Sequence, residues 1–147
     1  MFLQSICLRR VIILKCAFIG HRDAEGIDGK IEFEIKRIME KENVEFYSGG
    51  MGNFDKSCEK IAKKLGGRIT FVPYNVSQIK EKDKLWYNSI ICPFGNKPYS
   101  RFDIPNRNKW LVDNCDVFIC YVNRNGGAKK TYDYAVKCGK TVINIIN

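Results

Sequence analysis

Apolar positions along this chain keep two rhythms in turn. Short runs rich in β-branched and aromatic residues alternate with stretches in which apolar side chains recur every three to four positions. The runs predict strands at Lys15–Gly20, Val44–Ser48, Arg68–Val72, Val117–Val122 and Thr141–Ile145. Between them, Ile31, Ile35, Ile38 and Met39 mark one helix face that closes at Asn43. Phe54, Cys58, Ile61, Ala62 and Leu65 mark a second, with Lys56, Glu59, Lys60 and Lys63 assigned to its solvated side and Gly66-Gly67 as its stop. A third helix is expected from Asp103, placed to cap it, through Pro105, Trp110, Leu111 and Asn114, and a fourth spans Ala128–Lys137 before Gly139. From Tyr74 to Phe102 no clean period holds. That stretch is expected to be irregular and lid-like, with a short helix within Ser77–Leu85 and an extended piece at Tyr87–Cys92.

Strands alternating with amphipathic helices predict the α/β class, a parallel sheet covered on both faces. At 147 residues and 45% apolar composition, one domain is expected, over 15–147. Residues 1–14 precede a strand that looks complete without them, so they are taken as an added extension, with Leu14 as the expected true translation start. Arg9-Arg10 interrupts the apolar run of that extension, so neither export nor membrane spanning is expected.

A formal net charge of +9 favours anionic partners, yet the lysines are interleaved with glutamates, as in Lys36-Arg37-Ile38-Met39-Glu40-Lys41-Glu42. That pattern suits a basic solvated surface better than a dedicated nucleic-acid face. The seven cysteines show no Cys-x-x-Cys spacing and mostly sit in apolar runs; with His21 as the single histidine, no metal site is expected and buried reduced thiols in the cytoplasm are.

Candidate chemistry gathers at predicted strand ends. If the strand order is 3-2-1-4-5, the loop Gly20-His21-Arg22-Asp23 and the loop Asn123–Thr131 face one another where the order reverses, the place where open α/β sheets bind ligands. Gly126-Gly127 opens a helix there, and Ser48-Gly49-Gly50 lies one strand away. Glycines permit close backbone approach, and the first amides of a helix lack partners within it, so an anion is a suitable guest. Arg22 offers a planar fork of donors to phosphate, Thr131 and Ser48 offer hydroxyls, and Lys129 or Lys130 a screened charge. The opposing reading makes the glycine pairs turn chemistry, His21 a hydrogen-bonding residue and Asp55 a complement to its helix dipole.

Taken in order, Phe18-Ile19-Gly20-His21-Arg22-Asp23, Phe46-Tyr47-Ser48-Gly49-Gly50 with Phe54-Asp55, Arg107-Asn108-Lys109-Trp110 and Gly126-Gly127-Ala128 with Tyr134-Ala135 resemble the SLOG superfamily, and within it the small bacterial YpsA-like members. The resemblance implies a Rossmann-like three-layer αβα sandwich around a five-stranded, mainly parallel sheet. It implies a phosphorylated nucleotide or ADP-ribose-like ligand held by Gly20, His21, Arg22, Ser48, Gly49, Gly50, Asp55, Arg107, Asn108, Gly126, Gly127 and Thr131, with a sensor's role, no bound cofactor, and a possible homo-oligomer. The superfamily also includes the Lonely-guy phosphoribohydrolases and the DNA-processing protein DprA, which supply two alternatives: N-glycosidic hydrolysis of nucleoside monophosphates and single-stranded nucleic-acid binding. The Lonely-guy pattern continues Gly-Gly-x-Gly-Thr-x-x-Glu. Here the run is Gly126-Gly127-Ala128-Lys129-Lys130-Thr131-Tyr132-Asp133, which leaves Asp133 and Asp55 as the carboxylates available for catalysis.

Overall fold

The computed structural model describes residues 12–146. Six strands and five α-helices alternate in it: β1 (Ile13–Gly20), α1 (Asp28–Lys41), β2 (Asn43–Ser48), α2 (Gly52–Lys64), β3 (Arg68–Phe71), α3 (Glu81–Trp86), β4 (Ser89–Ile90), α4 (Asp103–Asn114), β5 (Val117–Tyr121), α5 (Gly127–Lys137) and β6 (Thr141–Asn144). A 3₁₀ turn at Val76–Gln78 precedes α3. Every strand pair is parallel, and the sheet order is β4-β3-β2-β1-β5-β6.

The expected core order is therefore present, with one strand more than the five expected. The addition is the two-residue β4, inside the Tyr87–Cys92 piece, which pairs only with β3 at the sheet edge. β1 also starts two residues earlier than expected, because Ile13 and Leu14 pair with Asn43 and Val44. Residues 1–11 of the proposed extension, and Cys7 with them, lie outside the described residues. The six cysteines within them, Cys16, Cys58, Cys92, Cys115, Cys120 and Cys138, are all free thiols. No described helix is long and apolar enough to cross a membrane.

Strand alternation sorts the core into two layers. Cys16 and Phe18 of β1, Phe46 of β2 and Ile69 of β3 meet Ile31, Ile35 and Ile38 of α1 and Phe54, Cys58, Ile61 and Ala62 of α2. Ala17 and Ile19, from the same β1, turn to the opposite face with Phe118 and Cys120 and meet Leu111 and Val112 of α4 and Ala135 of α5. Because β1 and β5 are adjacent while their following helices, α1 and α5, lie on opposite faces, a crevice opens beyond their carboxyl ends.

The segment between β3 and α4 is irregular but well tied. Asn75 is fully buried; its Nδ2 donates to the Lys97 carbonyl at 2.6 Å, and its Oδ1 accepts the Ser77 amide at 3.1 Å. Asp103 lies within the first turn of α4 rather than at its cap. Its carboxylate reaches back to the Ser100 amide at 3.0 Å and pairs with Lys97 at 3.4 Å.

Candidate functional site

A cavity of about 590 Å³ occupies the crevice. Its walls bring together Gly20, His21 and Arg22 after β1, Asp55 of α2, Arg107 and Asn108 of α4, and Gly126, Gly127 and Thr131 at the start of α5. The volume is in the range of small-molecule sites, and the walls mix apolar and polar side chains: Phe18, Met51, Ile104 and Leu111 stand beside the arginines.

Arg107 is the residue around which the site is built. It is 3% exposed, and its guanidinium runs under the ends of two strands, with Nη1 donating to the Gly49 carbonyl at 2.9 Å and the Val72 carbonyl at 3.2 Å. Nε donates to Asn108 Oδ1 at 2.9 Å, while Nη2 meets only the Met51 thioether at 3.6 Å. It forms no ion pair with the acids nearest in its own helix: Asp103 pairs with Lys97, and Asp113 accepts from the Tyr134 hydroxyl. A Cβ on Gly49 would sit 2.5 Å from the guanidinium carbon, so glycine at this position is what admits the arginine.

Asp55 faces the same cavity from the first turn of α2. Its Oδ2 accepts the Met51 amide at 3.0 Å. Burial pushes its carboxyl up to about 7 against the opposing pull of that hydrogen bond and of the Arg107 charge.

At the crevice itself, His21 spans the two strand ends. Its Nε2 accepts the Asn123 amide at 3.1 Å, which places the proton of the neutral ring on Nδ1. Burial, reinforced by the Arg124 charge, lowers its pKa, so the ring is neutral at pH 7 and acts as a strut between the loops after β1 and β5. Arg124 and Asp23 join those loops at the rim, 2.6 Å apart and well exposed, a pair whose energetic value is small.

Gly126 adopts φ 143°, a backbone region open to glycine, and a Cβ on Gly127 would meet nothing within 4 Å. The first amides of α5 are therefore uncovered on the cavity side. The Thr131 hydroxyl, expected to serve a ligand, donates instead to the Gly127 carbonyl at 3.0 Å and closes the first turn.

Four expected residues do not line the cavity. Ser48 is fully buried, donating to Glu59 Oε2 at 2.6 Å and accepting the Gly50 amide at 3.1 Å. Gly49 thus forms the seat of Arg107, Gly50 packs against Phe71 and Tyr87, and neither contributes a wall of its own. Asp133 lies on the outer face of α5, exposed and paired with Lys129 at 2.6 Å, because a position two residues from the inward Thr131 points away from it. Conversely, Met51 and Ile104 line the cavity without having been singled out, as do Asp23, Arg124 and Asn125, which were placed in the facing loops but given no role. A basic residue directly before the Asn125-Gly126-Gly127 turn was the available signal for Arg124.

No protein-family model and no curated protein matches the chain. Solved structures do. DprA from Streptococcus pneumoniae superposes with a TM-score of 0.70 at 18% identity, over 92% of this chain and 52% of that one. DprA from Helicobacter pylori, described for its single-stranded DNA binding mode, gives 0.68 at 18% identity over 88% and 63%. The molybdenum cofactor binding protein from Rippkaea orientalis gives 0.65 at 18% identity over 92% and 77%. The chain spans between half and two thirds of the length of either DprA. It shares the Rossmann-like α/β fold of these proteins.

Proposed function

We propose that this protein binds a phosphorylated nucleotide or an ADP-ribose-like derivative in the cavity beyond β1 and β5, and that it acts as a ligand sensor. The observation that carries the reading is Arg107, a buried cation on a cavity wall with no carboxylate paired to it among the described residues. A buried guanidinium whose Nη2 has only a thioether as partner is costly, and a site that keeps one is suited to a guest that brings it an acceptor oxygen. The uncovered amides at the start of α5 and the side chains of Arg22 and Arg124 add further positive potential around the same space.

Thermal unfolding with AMP, GMP, ADP-ribose and NAD at millimolar concentration tests the reading. A ligand at 100 times its Kd adds about 2.7 kcal/mol, which corresponds to roughly 5–10 °C in Tm for a domain of this size. Absence of any shift across these compounds overturns the proposal. A single-stranded oligonucleotide that binds with steep salt dependence, while mononucleotides fail, would transfer the site to nucleic acid.

A second reading, hydrolysis of the N-glycosidic bond, is favoured by the position of Asp55. A carboxyl with a pKa near 7 on the cavity wall can both accept and return a proton at neutral pH. The expected result is release of free base from a nucleoside monophosphate, abolished in Asp55→Asn. Folded protein that binds nucleotide and releases no base removes this reading and leaves the first intact.

A further inference from the structure

Resting on the nucleotide reading above, we propose that Asp55, Arg107 and Asn108 form a base-reading edge that selects 6-oxopurines, guanine or hypoxanthine, over adenine. The geometry begins with what each side chain still has to offer. Arg107 is fixed by the Gly49 and Val72 carbonyls through Nη1 and by Asn108 through Nε, which leaves Nη2 with only a thioether, a weak acceptor. Asn108 Oδ1 is occupied by Arg107, so its Nδ2 amine is the group left open on the cavity wall. Asp55 holds the Met51 amide on Oδ2, and Oδ1 is its open acceptor. Met51 contacts both acid and base, which places the carboxylate and the guanidinium on either side of one residue without pairing them.

The wall thus carries two donors still open, Arg107 Nη2 and Asn108 Nδ2, and one open acceptor, Asp55 Oδ1. A planar ring seated among Met51, Ile104 and Leu111 satisfies all three groups only if its edge offers two acceptors and a donor. In a 6-oxopurine, O6 and N7 accept and N1–H donates. In adenine the amino group at position 6 directs a donor at the guanidinium, and N1 directs a lone pair at the carboxylate. Both contacts are then mismatched, and sites built around specific hydrogen bonds discriminate strongly against such analogues.

The test is the affinity of the full chain for GMP, IMP and AMP by titration calorimetry at pH 8, where Asp55 is ionised in the company of Arg107 and Arg22 across the cavity and Lys56 and Glu59 on its own helix. GMP and IMP are expected to bind at least about 10-fold tighter than AMP, since one well-formed two-contact pairing discriminates between bases by roughly that factor or more. 7-Deaza-GMP, which lacks the acceptor for Asn108, should fall between them. Asp55→Asn, whose amide can donate or accept, should bring GMP and AMP to within about threefold of each other. AMP binding as tightly as GMP overturns the base-reading edge and leaves the nucleotide site standing. Failure of all three to bind overturns the nucleotide reading itself. The wild-type comparison decides the matter even if the variant does not fold.

Discussion

Replacing Glu59 with alanine is expected to cost about 3–5 kcal/mol of folding stability, roughly 10 °C in Tm for a chain of this length. The carboxylate is 1% exposed inside α2, where it accepts from the Ser48 hydroxyl at 2.6 Å, the Tyr87 hydroxyl at 2.8 Å and the Trp86 indole at 3.3 Å. Alanine leaves two buried hydroxyls and the half-buried Trp86 indole without this acceptor, and a void where the side chain stood. The Tyr87 hydroxyl is raised above the ordinary phenol range by its burial and by this neighbour, so it remains a donor at any physiological pH. Glu59→Gln should cost less, because its carbonyl still accepts although its amine faces donors. Urea unfolding at pH 7 measures both variants. A loss below about 1 kcal/mol for the alanine variant would show that the three donors find other partners. The network also reaches the site: Ser48 Oγ accepts the Gly50 amide, and the turn so held carries the Gly49 carbonyl that anchors Arg107. Loss of Glu59 is therefore expected to weaken nucleotide binding from outside the cavity.

Glu59 also shows where the sequence stops being informative. The α2 stripe Phe54, Cys58, Ile61, Ala62 is legible because helical periodicity is a local property, and all four are buried as that period requires. By the same period Glu59 was assigned to the wet side with Lys56 and Lys60. It is buried because Trp86 and Tyr87, from α3 and the residue after it, fold over it, and those residues belong to the segment without a period. Arg107 was named as a site residue, but what holds it in place was not legible. Its true partners are backbone carbonyls at the ends of β2 and β3, and a carbonyl has no signature in the sequence. The gathering of Gly20, His21, Arg22, Gly126 and Gly127 was legible, because a reversal of strand order between neighbouring parallel strands sets where loops converge. The strand β4 was legible only as an extended piece within Tyr87–Cys92, since two residues at a sheet edge carry too little pattern to count as a strand.

Asp55→Asn is expected to stabilise the protein by an amount that grows with pH. In the folded chain the carboxyl titrates near 7, and in the unfolded chain near its ordinary value of 3.8. Below that lower value both states hold the proton, and the group contributes no difference. Between the two values the unfolded chain releases a proton that the folded chain keeps, so stability falls by about 1.4 kcal/mol per pH unit. Above 7 both states are ionised and the accumulated loss levels off at about 4 kcal/mol. Arg107 and Lys56 favour the ionised form and Glu59 opposes it, with burial the dominant cause. Asparagine can still accept the Met51 amide through its carbonyl and has no charge to bury. Urea midpoints for wild type and variant should therefore nearly coincide at pH 4 and separate progressively to pH 8. A separation independent of pH would mean that Asp55 does not titrate in this window, and would remove the ground for its role as a proton carrier. A stabilising loss of a carboxylate would identify Asp55 as a group kept at some expense to the fold, which is the behaviour expected of a residue serving a ligand.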